Sequence, residues 1–210
     1  YWISKNQYSK NILIAVPSLA LVRQTLSAWT RQALADGSKI EYIAVCSDQD
    51  VGKSDDPLMN SHDLGISVTT EVPKVSNFLK TKSDFPKVVI TTYQSGEVVI
   101  AASNESQTEF DLAIFDEAHK TAGDKTKKFA QLLHDEKIRV KRKLFMTATE
   151  RQFISDTPNL LSMDDESIYG EIIDQFSFKD AIDQIPPILC DYSLITINVT
   201  RQEIENIIVN

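Results

Sequence analysis

Five short apolar runs punctuate the chain: NILIAV (11–16), IEYIAVC (40–46), KVVIT (87–91), DLAIF (111–115) and KLFMT (143–147). Each is continuous rather than alternating, which predicts strands buried on both faces, as in a parallel sheet covered by helices. Between them apolar residues return at helical spacing. After Ser18, the residues Leu19, Val22, Leu26, Trp29 and Ala33 mark one helical face. Ser18 suits the start of that helix and Gly37 its exit. VPKVSNFLK (72–80), SGEVVIAAS (95–103) and DKTKKFAQLLHDE (124–136) are further helical stretches. Strand alternating with helix predicts an α/β doubly wound domain with right-handed crossovers. Residues 47–66 are polar and turn-rich and read as a surface loop. The chain is less regular after Thr149, and DYSLITINV (191–199) is strand-like behind the breaker IPPI (185–188).

Composition adds bounds rather than chemistry. The 210 residues suit one compact domain, and 42% hydrophobic with 25% charged is ordinary for a globular chain. A net charge of -8 gives no whole-chain footprint for nucleic acid and leaves a local basic groove open. Cys46 and Cys190 have no metal-ligand spacing and form no disulfide framework, so a reducing, cytoplasmic setting is expected. No apolar run is long enough to span a membrane as a helix.

The chemistry concentrates at DLAIFDEAHK (111–120). In open α/β sheets ligands bind beyond the carboxyl ends of strands, where Asp116 and Glu117 fall. Asp116 could hold the magnesium that bridges nucleotide phosphates, Glu117 could orient and deprotonate water, and His119 could link the site to another element. The competing reading is a solvated cap at a strand-to-helix turn. KLFMTATE (143–150) is a second strand, ending in Thr147, Ala148 and Thr149. Its hydroxyls could bond a neighbouring carboxylate or histidine, or simply cap a turn.

Together these residues resemble a known family. VPSLALVRQTLSAW (16–29), TTYQS (91–95), FDEAHK (115–120) and FMTAT (145–149) are similar, in order and spacing, to motifs Ia, Ib, II and III of superfamily 2 helicases and translocases. The resemblance covers most of the chain and implies the first RecA-like domain, over residues 1–185, with 186–210 leading toward a second. The tail at 162–197 resembles the helicase portions of bacterial restriction-modification proteins. The resemblance implies that Asp116 coordinates Mg2+ and Glu117 activates water on ATP, both contacting the nucleotide. It implies that His119, Thr147, Ala148 and Thr149 couple hydrolysis to domain movement. It implies that Pro17, Ser18, Arg23, Gln24, Thr91, Thr92, Gln94 and Ser95 face a nucleic-acid backbone, DNA more than RNA. Arg23 equally suits a solvated helix face. Glu150 stands where a proline often follows TAT, and Lys120 where the narrower group often has arginine.

The family also requires a phosphate loop, G-x-x-x-x-G-K-[ST], ahead of motif Ia. The single GKS, Gly52-Lys53-Ser54, is a decoy: the first glycine of the pattern would fall at Ser47. It also follows motif Ia, and no helix pattern succeeds it. YWISKNQYSKN (1–11) resembles instead the last turns of the helix that follows a phosphate loop. The expectation is therefore a fragment: inactive alone, with an uncovered sheet edge prone to pairing, and completed in its parent by a loop upstream and a second RecA-like domain downstream. Two other readings stay open: a RecA-like scaffold that binds without hydrolysis, and an unrelated hydrolase using Asp116, Glu117 and His119 on a metal.

Overall fold

The computed structural model describes residues 1–6, 9–46, 67–126, 128–153 and 159–193. The loop at 47–66 with its GKS, and most of the strand-like 191–199, lie outside them. The chain divides into two compact units, 1–170 and 171–210.

The first unit opens with a short helix, α1 (Trp2–Asn6), and then β1 (Asn11–Val16). Helix α2 (Leu19–Ala35) follows; Ser18 caps it, accepting from the Leu21 N–H, and Gly37 leaves it at φ 67°. Its buried residues are Leu19, Val22, Leu26, Trp29 and Ala33, the set that the spacing predicts. Next come β2 (Glu41–Val45), β3 (Val68–Thr69), α3 (Val72–Lys80), β4 (Lys87–Thr92) and α4 (Gly96–Ser106). A 3-10 turn, Tyr93–Ser95, joins β4 to α4. Strand β5 (Leu112–Asp116) leads through a 3-10 turn, Ala118–Lys120, to β6 (Gly123–Asp124). A 3-10 helix (Lys128–Leu133), β7 (Lys143–Met146), β8 (Leu160–Leu161) and α5 (Glu166–Tyr169) complete the unit. In the second unit Ser177 and Asp180 form a capping box that opens α6 (Phe178–Asp183).

Six strands form one parallel sheet in the order β3-β2-β4-β1-β5-β7, and β6 pairs antiparallel with β8. Alternate residues of the central strands feed two cores. Leu13, Ala15, Val89, Ala113 and Phe115 pack with α3, α4 and the Lys128–Leu133 helix. Ile12, Ile14, Val88, Ile90, Leu112 and Ile114 pack with Val22, Leu26 and Trp29 of α2. Both faces are dry, so the strands read as unbroken apolar runs. Gly96 opens α4 because a Cβ there would lie 2.9 Å from Leu132 Cγ.

Three expectations are corrected. IEYIAVC is buried only toward its carboxyl end: in β2 Glu41 and Ile43 are half-buried and Tyr42 is exposed, while Ala44 and Val45 are buried. KLFMT is not buried on both faces: among the described residues β7 pairs with β5 alone, and Lys143, Leu144 and Phe145 are half-buried and Met146 exposed. The helix expected over 124–136 is a 3-10 helix over Lys128–Leu133. Gly123 and Asp124 are drawn into the β6–β8 pair, and the Asp124 carboxylate turns the chain by accepting the Thr126 N–H at 2.8 Å.

Asp111 pins the amino-terminal end of the sheet. It accepts the backbone N–H groups of Lys10 and Asn11 at 2.9 and 3.0 Å, and Lys141 Nζ at 2.8 Å. Burial pushes its carboxyl up, but the bonds from Lys141, Asn11 and Lys10 outweigh that and hold it below the usual range. Asp111→Ala is expected to cost about 2–3 kcal/mol at neutral pH by denaturant melting. A depressed folded pKa stabilises above the unfolded pKa and ceases to as pH falls through the folded value. The gap between parent and variant should hold from pH 7 to about 5 and close in strong acid.

Candidate functional site

The six strands of the main sheet are parallel, so the carboxyl ends of β1, β4, β5 and β7 share one edge. Asp116 is the last residue of β5, opposite Met146 of β7. It is half-buried, and its Oδ1 accepts the Glu117 N–H at 3.0 Å. Burial raises its carboxyl above the usual range; the Glu117 N–H opposes this and the Glu117 charge adds to it.

The chain then turns sharply. Glu117 adopts φ 51° and ψ 46°, the left-handed region that a residue with a side chain enters at a cost of order 1–3 kcal/mol. That conformation ends the strand and starts the 3-10 turn carrying His119. The carbonyl of Asp116 accepts the Tyr93 hydroxyl at 2.7 Å.

His119 gathers the site. Its Nδ1 lies 2.9 Å from Thr147 Oγ1, 3.3 Å from Thr149 Oγ1 and 3.3 Å from Glu117 Oε2. Thr147 donates its hydroxyl proton to the Thr149 carbonyl at 3.0 Å and accepts the Thr149 N–H at 3.1 Å. With that proton committed, the network assigns the imidazole proton to Nδ1, facing Thr147 and Glu117, and leaves Nε2 as acceptor. Burial lowers the imidazole pKa, Glu117 pulls it up, and Arg151 and Lys120 lower it further; the net shift is downward and favours the neutral ring. Ala148 is exposed at the bend between the two threonines. The expected carboxylate, histidine and hydroxyl set is thus brought together.

The second expected set is split. Pro17, expected at the surface, is instead buried where β1 enters α2; Ser18 is half-buried beside it, and Arg23 and Gln24 are exposed on the first turns of that helix. Gln94 is half-buried, and its Oε1 is sealed off with no hydrogen-bond partner. Thr91 and Thr92 are instead wholly buried, and Ser95 nearly so. The Thr91 hydroxyl is spent on the Val45 carbonyl at 2.9 Å and the Thr92 carbonyl at 3.0 Å. In this conformation these three residues support the surface from beneath rather than form it.

Tyr93 is the residue that sequence reasoning passes over. It is 1% exposed, packs edge-on against Phe129, and its phenol is held protonated by burial and by the neighbouring Asp116, Tyr169 and Glu117. The signal available was a hydroxylated aromatic closing a fully apolar strand, where a buried phenol must find an acceptor.

Among the described residues no group of three or more His, Cys, Asp or Glu is placed to hold a metal. A lone half-buried carboxylate does not fit zinc. It fits magnesium, which keeps several waters and takes one or two carboxylates beside substrate phosphates.

A family model described as type III restriction enzyme, res subunit, matches residues 1–152. The chain is 29% identical over 184 residues to "Probable helicase A859L" of African swine fever virus (isolate Pig/Kenya/KEN-50/1950), covering 87% of this chain and 18% of that protein. The protein of the same name from strain Badajoz 1971 Vero-adapted is 28% identical over the same length. Among solved structures, a nuclease-deletion mutant of the Type ISP restriction-modification enzyme LlaGI in complex with a DNA substrate mimic matches with a TM-score of 0.65 and 32% identity. That match covers 87% of this chain and 14% of LlaGI. The ATP-dependent Type ISP restriction-modification enzyme LlaBIII bound to DNA matches with a TM-score of 0.61 and 28% identity, over 82% of this chain and 12% of LlaBIII. The chain spans less than a fifth of the length of each of these relatives.

Proposed function

We propose, given that the chain belongs to the family of type III restriction enzyme res subunits, that it is part of an ATP-dependent DNA helicase or translocase motor. The observation that carries this reading is one constellation at the carboxyl edge of the sheet. Asp116 and a backbone-strained Glu117 end β5, and His119 ties them to the Thr147–Thr149 turn after β7.

Each residue then has a task. Asp116 presents one carboxylate oxygen free of the Glu117 amide, suited to Mg2+ with its waters. Mg2+ held there would supply neutralisation of the phosphate charge. Glu117 orients and deprotonates the attacking water. The neutral His119 holds the Glu117 carboxylate through Nδ1–H and reports its state to Thr147. Because Thr147 bonds both the imidazole and the Thr149 backbone, a change at Glu117 reaches the segment leaving β7. The 210 residues contain no G-x-x-x-x-G-K-[ST], so the residues named here account for the metal-and-water part of the reaction and not for a grip on phosphate.

DNA is proposed as the polymer because LlaGI and LlaBIII were solved with DNA or a mimic of it. Contacts to its backbone fall to Ser18, Arg23, Gln24 and Gln94, and such contacts carry no base specificity. The test is DNA binding and DNA-stimulated ATPase of the intact parent. Arg23→Ala with Gln24→Ala is expected to weaken binding about tenfold, equally for unrelated sequences, and to lower the salt slope by about 1. DNA binding with no ATP turnover under any condition would favour a non-hydrolysing module instead.

A further inference from the structure

We propose that Tyr93 is a positioning residue for the reaction, holding the backbone that aims Glu117; this rests on the hydrolytic reading of that site. One peptide group is at issue. The Asp116 carbonyl and the Glu117 N–H belong to the same plane, and both ends of it are held. The Tyr93 hydroxyl donates to the oxygen at 2.7 Å, and Asp116 Oδ1 accepts from the nitrogen at 3.0 Å. Rotating that plane changes the φ of Glu117, which is the strained angle. A residue stays in the left-handed region only where its surroundings over-determine it. The two bonds supply that constraint from opposite sides.

Of the two bonds, the Tyr93 bond comes from outside the turn; the other comes from Asp116 itself, whose second carboxylate oxygen is the one proposed to meet a cation. The phenol is buried and packed edge-on against Phe129, so its donor is fixed in place. Tyr93 also immediately precedes Gln94 on the 3-10 turn after β4. The same residue therefore joins the edge proposed to meet DNA to the strand that carries the carboxylates.

The experiment is Tyr93→Phe in the intact parent, which keeps the ring and removes one oxygen. Three quantities are read: kcat and KM for ATP, melting temperature, and hydrogen exchange at the Glu117 amide. The expected result is a kcat about tenfold lower with KM for ATP within about twofold, and Glu117 exchange about tenfold faster while the Ile114 and Phe115 amides are unchanged. Tyr169→Phe is the control. It removes another buried hydroxyl, one that donates to Thr121 Oγ1 at 3.0 Å while Thr121 donates to the Ala118 carbonyl at 2.7 Å. It should alter melting comparably and leave kcat and Glu117 exchange within about twofold.

Glu117 exchange unchanged in Tyr93→Phe would overturn the proposal, as would faster exchange with an unchanged kcat. Equal loss of kcat in both tyrosine variants would overturn it too, by making the effect one of general stability. Glu117→Gln is run alongside. If that variant keeps full turnover, the hydrolytic reading fails, and the exchange comparison still decides whether Tyr93 holds the peptide.

Discussion

Glu117→Gln in the intact parent is expected to lower ATP turnover by roughly 10²–10⁴-fold while nucleotide binding persists. The substitution keeps shape and removes the base. Glutamine can still accept from the His119 Nδ1–H, so the contact at 3.3 Å survives in kind. On the proposal above, the left-handed backbone here is held through the Asp116–Glu117 peptide, which the substitution leaves in place. The variant should therefore fold, bind and stall. Single-turnover hydrolysis beside equilibrium nucleotide binding separates the two steps. Loss of both together would point to a structural role for the side chain.

The second large effect is expected at Asp116. Asp116→Ala should reduce turnover on the order of 10²–10³-fold, and the Mg2+ concentration needed for half-maximal rate should rise. Here the fold is not neutral. Asp116 Oδ1 accepts the Glu117 N–H at 3.0 Å, so alanine also frees one end of the peptide that sets Glu117. Asp116→Asn retains an acceptor for that N–H and removes only the charge. If the two variants lose the same rate, the loss is electrostatic. If alanine loses clearly more, the remainder measures the backbone hold.

Much of the fold was legible because burial on both faces writes itself into the sequence. NILIAV is β1 to the residue, and VPKVSNFLK is α3 to the residue. The α2 face was legible because Leu19, Val22, Leu26, Trp29 and Ala33 have one packing job each. KLFMT misled because apolar composition does not say how many neighbours a strand has, and among the described residues β7 has one. DKTKKFAQLLHDE misled because pairing of Gly123 and Asp124 with β8 is a long-range event that local propensity cannot register.

The candidate site divides in the same way. DEAH and TAT pointed to groups that do meet, because the strands carrying them are neighbours in the sheet. What sequence could not show was backbone geometry. Nothing in the letter E at 117 announces a φ of 51°. Nor does TTYQS reveal that its threonines point inward while its tyrosine reaches β5. Those facts arise from where β4 sits beside β1, one strand away from the carboxylates.

The central claim is that Asp116 and Glu117 form the magnesium-and-water half of an ATP site. It is tested most directly by determining the structure of the intact parent with a non-hydrolysable ATP analogue, Mg2+ and DNA. The cation is expected at the Asp116 carboxylate, directly or through one water, with a water between Glu117 and the terminal phosphate and the Asp116 carbonyl still bonded to Tyr93. Nucleotide and metal bound elsewhere, with Asp116 and Glu117 facing only solvent, would contradict it.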